Sequence, residues 1–324
     1  MERKVVMKKI GIVGKGLIGR RLRERLEEAG YKIAFFLGRQ AAEDFPGLLV
    51  RRDPGVVFVA ISTLDHGEAA RDYILACVQA EIPVITAEKG ALAYHAMALK
   101  EHLSRIGFSA AVGGGTLMLQ YARSRNLVGF AGPVEIQGVF NGTSNFILDE
   151  MSRGRGLGEA CAEASRLGYA EPGASSPLEL INGELGDVVR KCCVFFNTTL
   201  AGPLDSLTPE RLGSFVFGPE GLEKLARQGG NHRLIVSFSR SRKKPREKVV
   251  GTGVSATLGG WQISAGFRQI SPADAIWLPG GVGNALHIVE GELGSGGKYT
   301  LSGPGAGAEP TTSAMLNDFE NLTG

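Results

Sequence analysis

The sequence predicts an α/β protein with two domains: an N-terminal doubly wound parallel sheet, then a mixed α/β domain. Three observations predict it. Short apolar runs alternate with helix-like segments of ten or more residues through the first third, the pattern of βαβ units. Gly14-Lys15-Gly16-Leu17-Ile18-Gly19 falls between the first apolar run and the first helix-like segment. After about residue 130 the alternation gives way to half-buried strand patterns separated by turns.

Taken in order, 8–14 reads as a buried strand and 17–29 as a helix that Gly30 stops. Strands are expected at 33–37, 56–61 and 82–86, with a helix at 67–80 between the last two. A helix over 91–106 and a strand over 108–112 complete the first domain. Further on, 134–140 alternates as a strand, 146–151 and 159–167 read as helices, and the Pro-, Gly- and Ser-rich stretch 172–183 reads as a loop. The segment around Asp187 and Lys191 is helical. Strands and turns are expected from 231 to 292, and a last helix from 311 to 322. The expected boundaries are 1–115 for a dinucleotide-binding domain, completed by the C-terminal helix at about 303–324, and 116–302 for the second domain.

A net charge of +3 over 324 residues gives no footprint for nucleic acid or a membrane surface. The dense basic block 240–246 reads as a solvated hairpin loop. No apolar run reaches the roughly 18 residues a membrane span needs, and no signal peptide is recognisable. Four cysteines without a CxxC spacing suit reduced core thiols in a cytoplasmic protein. Forty-seven glycines are about twice the usual share, and their clustering points to close backbone approach.

The glycine motif has the strand-turn-helix setting of a Rossmann-type dinucleotide site. Gly14, Gly16, Leu17, Ile18 and Gly19 would cradle a pyrophosphate at a helix N-terminus. NAD-selective enzymes usually place an acid after the second strand; here Arg39 offers a cation to a 2′-phosphate, so NADP is expected to be preferred, with NAD possible. Ser62 and Thr63, after the third strand, and Lys89 and Gly90, after the fourth, lie at the carboxyl edge where such sheets bind ligands. Val112-Gly113-Gly114-Gly115 marks a backbone that passes close to something. Asn141-Gly142-Thr143 ends a strand with polar groups. Asp187 and Lys191, four apart on a helix with apolar neighbours, place an ammonium beside a carboxylate, a fit proton donor to a developing alkoxide.

This set of motifs, in this order and closing with 303–314 (GPGAGAEPTTSA), resembles homoserine dehydrogenase across nearly the whole chain. The resemblance implies reduction of L-aspartate 4-semialdehyde to L-homoserine in the pathway to threonine, methionine and isoleucine. It also implies a homodimer and a second domain serving substrate binding and dimerisation. By the same resemblance Lys191 is the proton donor and Lys89 a second active-site lysine near nicotinamide and substrate. Glu171 binds the substrate amino group, and Asp187 holds that group or orients Lys191. Thr143, Asn141, Gly142 and Tyr169 line the substrate site, and Gly305 belongs to a loop returning to the nucleotide.

The chain also departs from the family pattern. Ser109 stands where much of the family has a glutamate that helps bind a monovalent cation, so no metal is assigned. The loop after Glu171 is longer than usual, and Gly173 replaces a common aspartate. The chain ends after its last helix, matching a short form without a C-terminal regulatory domain. The alternatives are a reductase of another amino-acid semialdehyde or oxo acid and, from a different class, a non-catalytic nucleotide-binding regulator.

Overall fold

The computed structural model describes residues 9–40, 44–170, 174–228, 232–240, 253–277, 281–305 and 307–323. They divide into two compact units, one taking in 1–115 and 308–324, the other 116–307.

The first unit runs β1 (Ile10–Val13), α1 (Leu17–Glu28), β2 (Ile33–Leu37), α2 (Phe45–Arg52), β3 (Val56–Val59), α3 (Glu68–Gln79), β4 (Val84–Thr86), α4 (Gly90–Tyr94), α5 (Ala96–Leu99) and β5 (Ile106–Gly107). All five strands are parallel, in the order β2-β1-β3-β4-β5. The central β1 and β3 are buried at every position, as a sheet covered on both faces requires. The chain reverses direction across the sheet between β1 and β3, so a crevice opens at their carboxyl ends.

The C-terminal helix (Ala308–Thr323) returns to this unit. Glu309 accepts from Arg21 (2.7 Å) and Arg25 (2.9 Å) of α1. Asp318 accepts from the backbone N–H and the hydroxyl of Ser109 (2.7 and 2.6 Å). Phe319 packs edge-on to Tyr31 and against Phe58.

Two expected elements differ here. The helix expected over 91–106 breaks at His95 (φ −118°, ψ 24°) into α4 and α5, followed by a 3₁₀ turn. Helix propensity over that stretch is a weak prior, and tertiary packing overrides it. The strand expected over 108–112 lies instead at Ile106–Gly107, and Ser109–Ala111 forms a 3₁₀ turn. Asp318, reaching in from the C-terminal helix, takes the Ser109 N–H that a strand could have offered to a neighbour, and the Ser109 hydroxyl as well.

The second unit contains α6 (Met118–Ser124), β6 (Val134–Val139), α7 (Gly142–Ser152), α8 (Leu157–Arg166), α9 (Pro177–Thr199), α10 (Pro209–Leu212), α11 (Pro219–Gln228), β7 (His232–Arg240), β8 (Gly253–Leu258), β9 (Trp261–Gln269), β10 (Gly283–Glu290) and β11 (Gly297–Pro304). Its six strands form one antiparallel sheet ordered β11-β10-β6-β7-β9-β8. The 23-residue α9 is buried through Cys192–Asn197, where Phe195 packs on Phe140 and stacks on Phe238 of β7. Helix α7 is tied to β7 by the Asn145 side chain, which accepts from the Leu234 N–H (3.0 Å), and by an ion pair between Asp149 and Arg233.

Two helix starts lie earlier than the sequence pattern suggested. The expected 146–151 helix begins at Gly142, because Asn141 is its N-cap and accepts from the Ser144 N–H at 2.8 Å. The stretch 172–183 is not all loop, because α9 starts at Pro177. Ser176 caps it by accepting from the Glu179 N–H at 3.2 Å, and proline suits the first turn. Arg240 closes β7, while the rest of the basic block 240–246 lies outside the described residues.

No helix among the described residues is long and apolar enough to cross a membrane. All four cysteines are buried free thiols. Burial pushes the Cys77 thiol up to about 12 and Cys161 to about 11, with Cys192 and Cys193 also raised. Each is therefore neutral and unreactive near pH 8. We expect none to react with an aromatic disulfide reagent in the native protein, and all four to react once it is unfolded in guanidinium. A thiol titrating within minutes in buffer would contradict this placement.

Candidate active site

The residues expected on the substrate side gather where the end of β6 meets the N-terminus of α7 and one face of α9. Lys191 donates from Nζ to Asp187 Oδ2 at 2.7 Å and to the Phe140 carbonyl at 2.8 Å. The helical i,i+4 spacing sets the first contact, and the strand end supplies the second. The lysine and aspartate side chains are only 14% and 13% exposed, so their charges meet in a largely dry setting. An ammonium has three N–H donors, so the two contacts aim it and leave a third for an incoming oxygen.

Asn141, 2% exposed, organises the carboxylate side. Its Oδ1 caps α7, which turns Nδ2 toward α9. There Nδ2 donates to Glu184 and lies 3.5 Å from Asp187 Oδ2. Gly142 follows, and a Cβ on it would fall 2.3 Å from the Val282 carbonyl oxygen, so only glycine fits. Thr143 donates its hydroxyl proton to the Tyr169 carbonyl at 2.7 Å, and the Tyr169 ring meets Phe146 edge-on. Asn141, Gly142, Thr143, Tyr169, Asp187 and Lys191 therefore belong to one neighbourhood. Glu171 lies outside the described residues.

Gly305 follows β11 in the second unit. A Cβ on Gly305 would fall 2.5 Å from Cγ of Asn284. Asn284 is fully buried, and neither its Oδ1 nor its Nδ2 has a hydrogen-bond partner among the described residues.

In the first unit the residues expected to meet a nucleotide stand at the carboxyl ends of the strands. Gly14 adopts φ +126°, and a Cβ there would fall 2.1 Å from the Ala60 carbonyl oxygen. A Cβ on Gly19 would fall 1.7 Å from the Gly14 carbonyl oxygen. Gly16, the N-cap of α1, faces nothing within 4 Å and leaves open space over the first amides of the helix, with Leu17 exposed and Ile18 behind it. This is a tight turn with an open cradle at a helix N-terminus, and it fits a pyrophosphate.

Arg39 donates to the Ser62 carbonyl, which draws the β2 and β3 loops together, while its own carbonyl accepts from the Tyr73 hydroxyl at 2.9 Å. Thr63 donates to Glu88, a carboxylate 2% exposed that also accepts from the Gly90 and Ala91 N–H groups (2.6 and 2.8 Å). Lys89, the N-cap of α4, is thus fixed between residues that Glu88 clamps. Among the described residues no group of three or more His, Cys, Asp and Glu side chains is placed to hold a metal ion.

Sequence reasoning missed three polar residues here. Glu184 carried a readable signal, since it stands three and seven residues before Asp187 and Lys191 on one helix face. Glu88 carried a weaker one, an acid just before a helix start. Asn284 carried none, because its strand position gives no hint of an unpaired buried amide.

Comparison with known proteins follows the same lines. The family model for homoserine dehydrogenase matches residues 132–319. The NAD(+)-dependent homoserine dehydrogenase of Pseudomonas canavaninivorans is 27% identical over 285 residues, covering 84% of this chain and 72% of that one. The homoserine dehydrogenase of Corynebacterium glutamicum is 27% identical over 285 residues, covering 85% and 58%. Among solved structures, a hyperthermophilic archaeal homoserine dehydrogenase in complex with NADPH is similar with a TM-score of 0.69 at 22% identity, covering 98% of this chain and 97% of that chain. A homoserine dehydrogenase from Thiobacillus denitrificans gives 0.65 at 24%, covering 98% and 73%.

Proposed function

The chain belongs to the homoserine dehydrogenase family of NAD(P)-dependent oxidoreductases acting on a CH–OH group, and from that premise we propose that it reduces L-aspartate 4-semialdehyde to L-homoserine, with NADPH preferred. The working form in this reading is a cytoplasmic homodimer. The observation that carries the reading is the Lys191 ammonium, aimed by Asp187 and the Phe140 carbonyl with one N–H to spare. NADPH, when bound, supplies the hydride.

The chain's own residues do the rest. Gly14, Gly16, Gly19 and the first amides of α1 would hold the pyrophosphate, with Ser62, Thr63 and Gly305 as further nucleotide contacts. Arg39 would meet the 2′-phosphate, and its bond to the Ser62 carbonyl presets its direction. Lys89 would bind near the reacting carbonyl. Lys191 gives a proton to the oxygen that gains charge as the aldehyde is reduced. Asp187 keeps that ammonium in place, and Glu171, Thr143 and Tyr169 complete the substrate's surroundings.

The test is oxidation of NADPH and NADH with L-aspartate 4-semialdehyde, in wild type and Arg39→Ala. Loss of one charge-assisted contact lowers kcat/KM with NADPH by about 10–100-fold, while the value with NADH stays within about twofold. An unchanged cofactor ratio removes Arg39 from the assignment. No turnover of the semialdehyde with either cofactor overturns the functional reading.

A further inference from the structure

We propose that Glu88 is a positioning residue: it holds the loop after β3 and the turn that carries Lys89 as one unit, so that the expected nucleotide contacts and the active-site lysine are set together. The assignment rests on the function proposed above and deepens it.

Strand β4 ends at Thr86, and the chain turns into α4 through Ala87, Glu88 and Lys89. Glu88 is 2% exposed, and a carboxylate so buried needs donors on both oxygens. Two come from its own turn: the Gly90 N–H donates to Oε1 at 2.6 Å and the Ala91 N–H to Oε2 at 2.8 Å. The third crosses to the other loop, where the Thr63 hydroxyl donates to Oε1. The main chain of Glu88 is tied down as well. Its N–H donates to the Thr86 hydroxyl at 3.0 Å, and that hydroxyl donates to the Val59 carbonyl at the end of β3, also at 3.0 Å. One residue thus links the carboxyl ends of β3 and β4 through its side chain and its backbone.

The loop it holds is strained. Asp65, His66 and Gly67 follow one another at φ 46°, 55° and 80°. For the first two this left-handed conformation is costly, and it persists only where the surroundings enforce it. They do so at close range. A Cβ on Gly67 would fall 2.3 Å from the Ala91 nitrogen, and one on Gly90 would fall 2.9 Å from the Gly67 Cα. The His66 ring stacks on Tyr94 of α4, with centroids 4.4 Å apart. Strain of this kind gathers at working sites, and Ser62 and Thr63, expected at the nucleotide, lie just before it. Lys89 lies between Glu88 and Gly90, which bond to each other across it, so its backbone shifts only if the clamp opens.

The experiment measures the NADPH dissociation constant by nucleotide fluorescence, kcat with L-aspartate 4-semialdehyde, and the thermal midpoint. The proteins are wild type, Thr63→Val, Glu88→Gln and their double variant, with Glu88→Gln also made in a Lys89→Ala background. Thr63→Val cuts the crossing bond and leaves both amide bonds. Glu88→Gln has one oxygen for two amide N–H groups, so it loosens the turn. Each variant raises the NADPH dissociation constant and lowers kcat by about tenfold, the usual loss for a hydrogen bond to a charged group. Because the two loops act as one unit, the double variant loses no more than about threefold beyond either single variant, whereas independent effects multiply to about a hundredfold. In the Lys89→Ala background Glu88→Gln changes kcat by less than about twofold, since the residue it positions is gone. Losses that multiply in the double variant overturn the assignment. A fall in kcat that persists without Lys89, or a lower thermal midpoint with unchanged affinity and kcat, marks a structural role and overturns it too. If Glu88→Gln does not fold, Thr63→Val decides: loss of affinity and kcat together supports the clamp, and loss of affinity alone overturns it. Wild type that binds NADPH but turns over no semialdehyde overturns the functional reading alone, and the nucleotide titrations of the single and double variants still decide the clamp.

Discussion

Lys191→Arg is expected to lower kcat by about 10²–10⁴-fold while the protein keeps its fold and its substrate binding. Arginine preserves a cation beside Asp187 and can still donate to the Phe140 carbonyl, the two contacts that the lysine makes. It cannot give up a proton near neutral pH, because its guanidinium stays charged. The substitution therefore separates proton donation from simple charge. Lys191→Met removes both, and it also strips Asp187 of its partner in a largely dry setting, so it costs stability as well as rate. The measurement is steady-state kinetics on both variants with a thermal melt beside it. An arginine variant retaining more than about a tenth of wild-type kcat would exclude Lys191 as the proton donor.

The largest stability effect is expected at Arg233. This side chain is 2% exposed, pairs with Asp149 of α7, donates to the His232 carbonyl at 3.0 Å and lies over the Trp277 ring at 5.0 Å. Arg233→Met strands the Asp149 carboxylate in the interior and costs about 3–5 kcal/mol. The double variant with Asp149→Leu removes the stranded charge and recovers most of that loss, since replacing a whole buried pair by apolar side chains is often neutral or stabilising. Urea denaturation of the single and double variants reads both numbers. A loss below about 1 kcal/mol in the single variant would mean the pair is solvated and does not anchor α7. The same anchor positions Asn141 and Thr143 at the start of α7, so Arg233→Met should raise KM as well as lower stability.

Much of the geometry of the glycine turn was legible in the chain, because its causes are local. Gly14, Gly16 and Gly19 are needed for the turn itself, for the open cradle and for close packing against the Gly14 carbonyl, and each need acts within a few residues. The i,i+4 meeting of Asp187 and Lys191 is likewise a property of one helix. The helix starts at Gly142 and Pro177 were also written locally, in Asn141 and in Ser176-Pro177. The loop-like composition around them obscured the signal.

Other features came from long-range contacts that no window of sequence contains. Asp318 captures Ser109 from 209 residues away, which turns an expected strand into a 3₁₀ turn. Lys191 finds the Phe140 carbonyl 51 residues back, and Asn141 finds Glu184 43 residues ahead. By itself the sequence determined the doubly wound class of the first domain, the tight glycine turn at 14–19 and the pairing of Asp187 with Lys191, since backbone conformation and helical spacing depend on neighbouring residues. Only the tertiary structure decided which carbonyl aims the lysine, which amide holds Glu184 and which buried groups, at Asn284, have no hydrogen-bond partner among the described residues. Those partners are set by the packing of helices on a sheet, and the chain does not spell out that packing residue by residue.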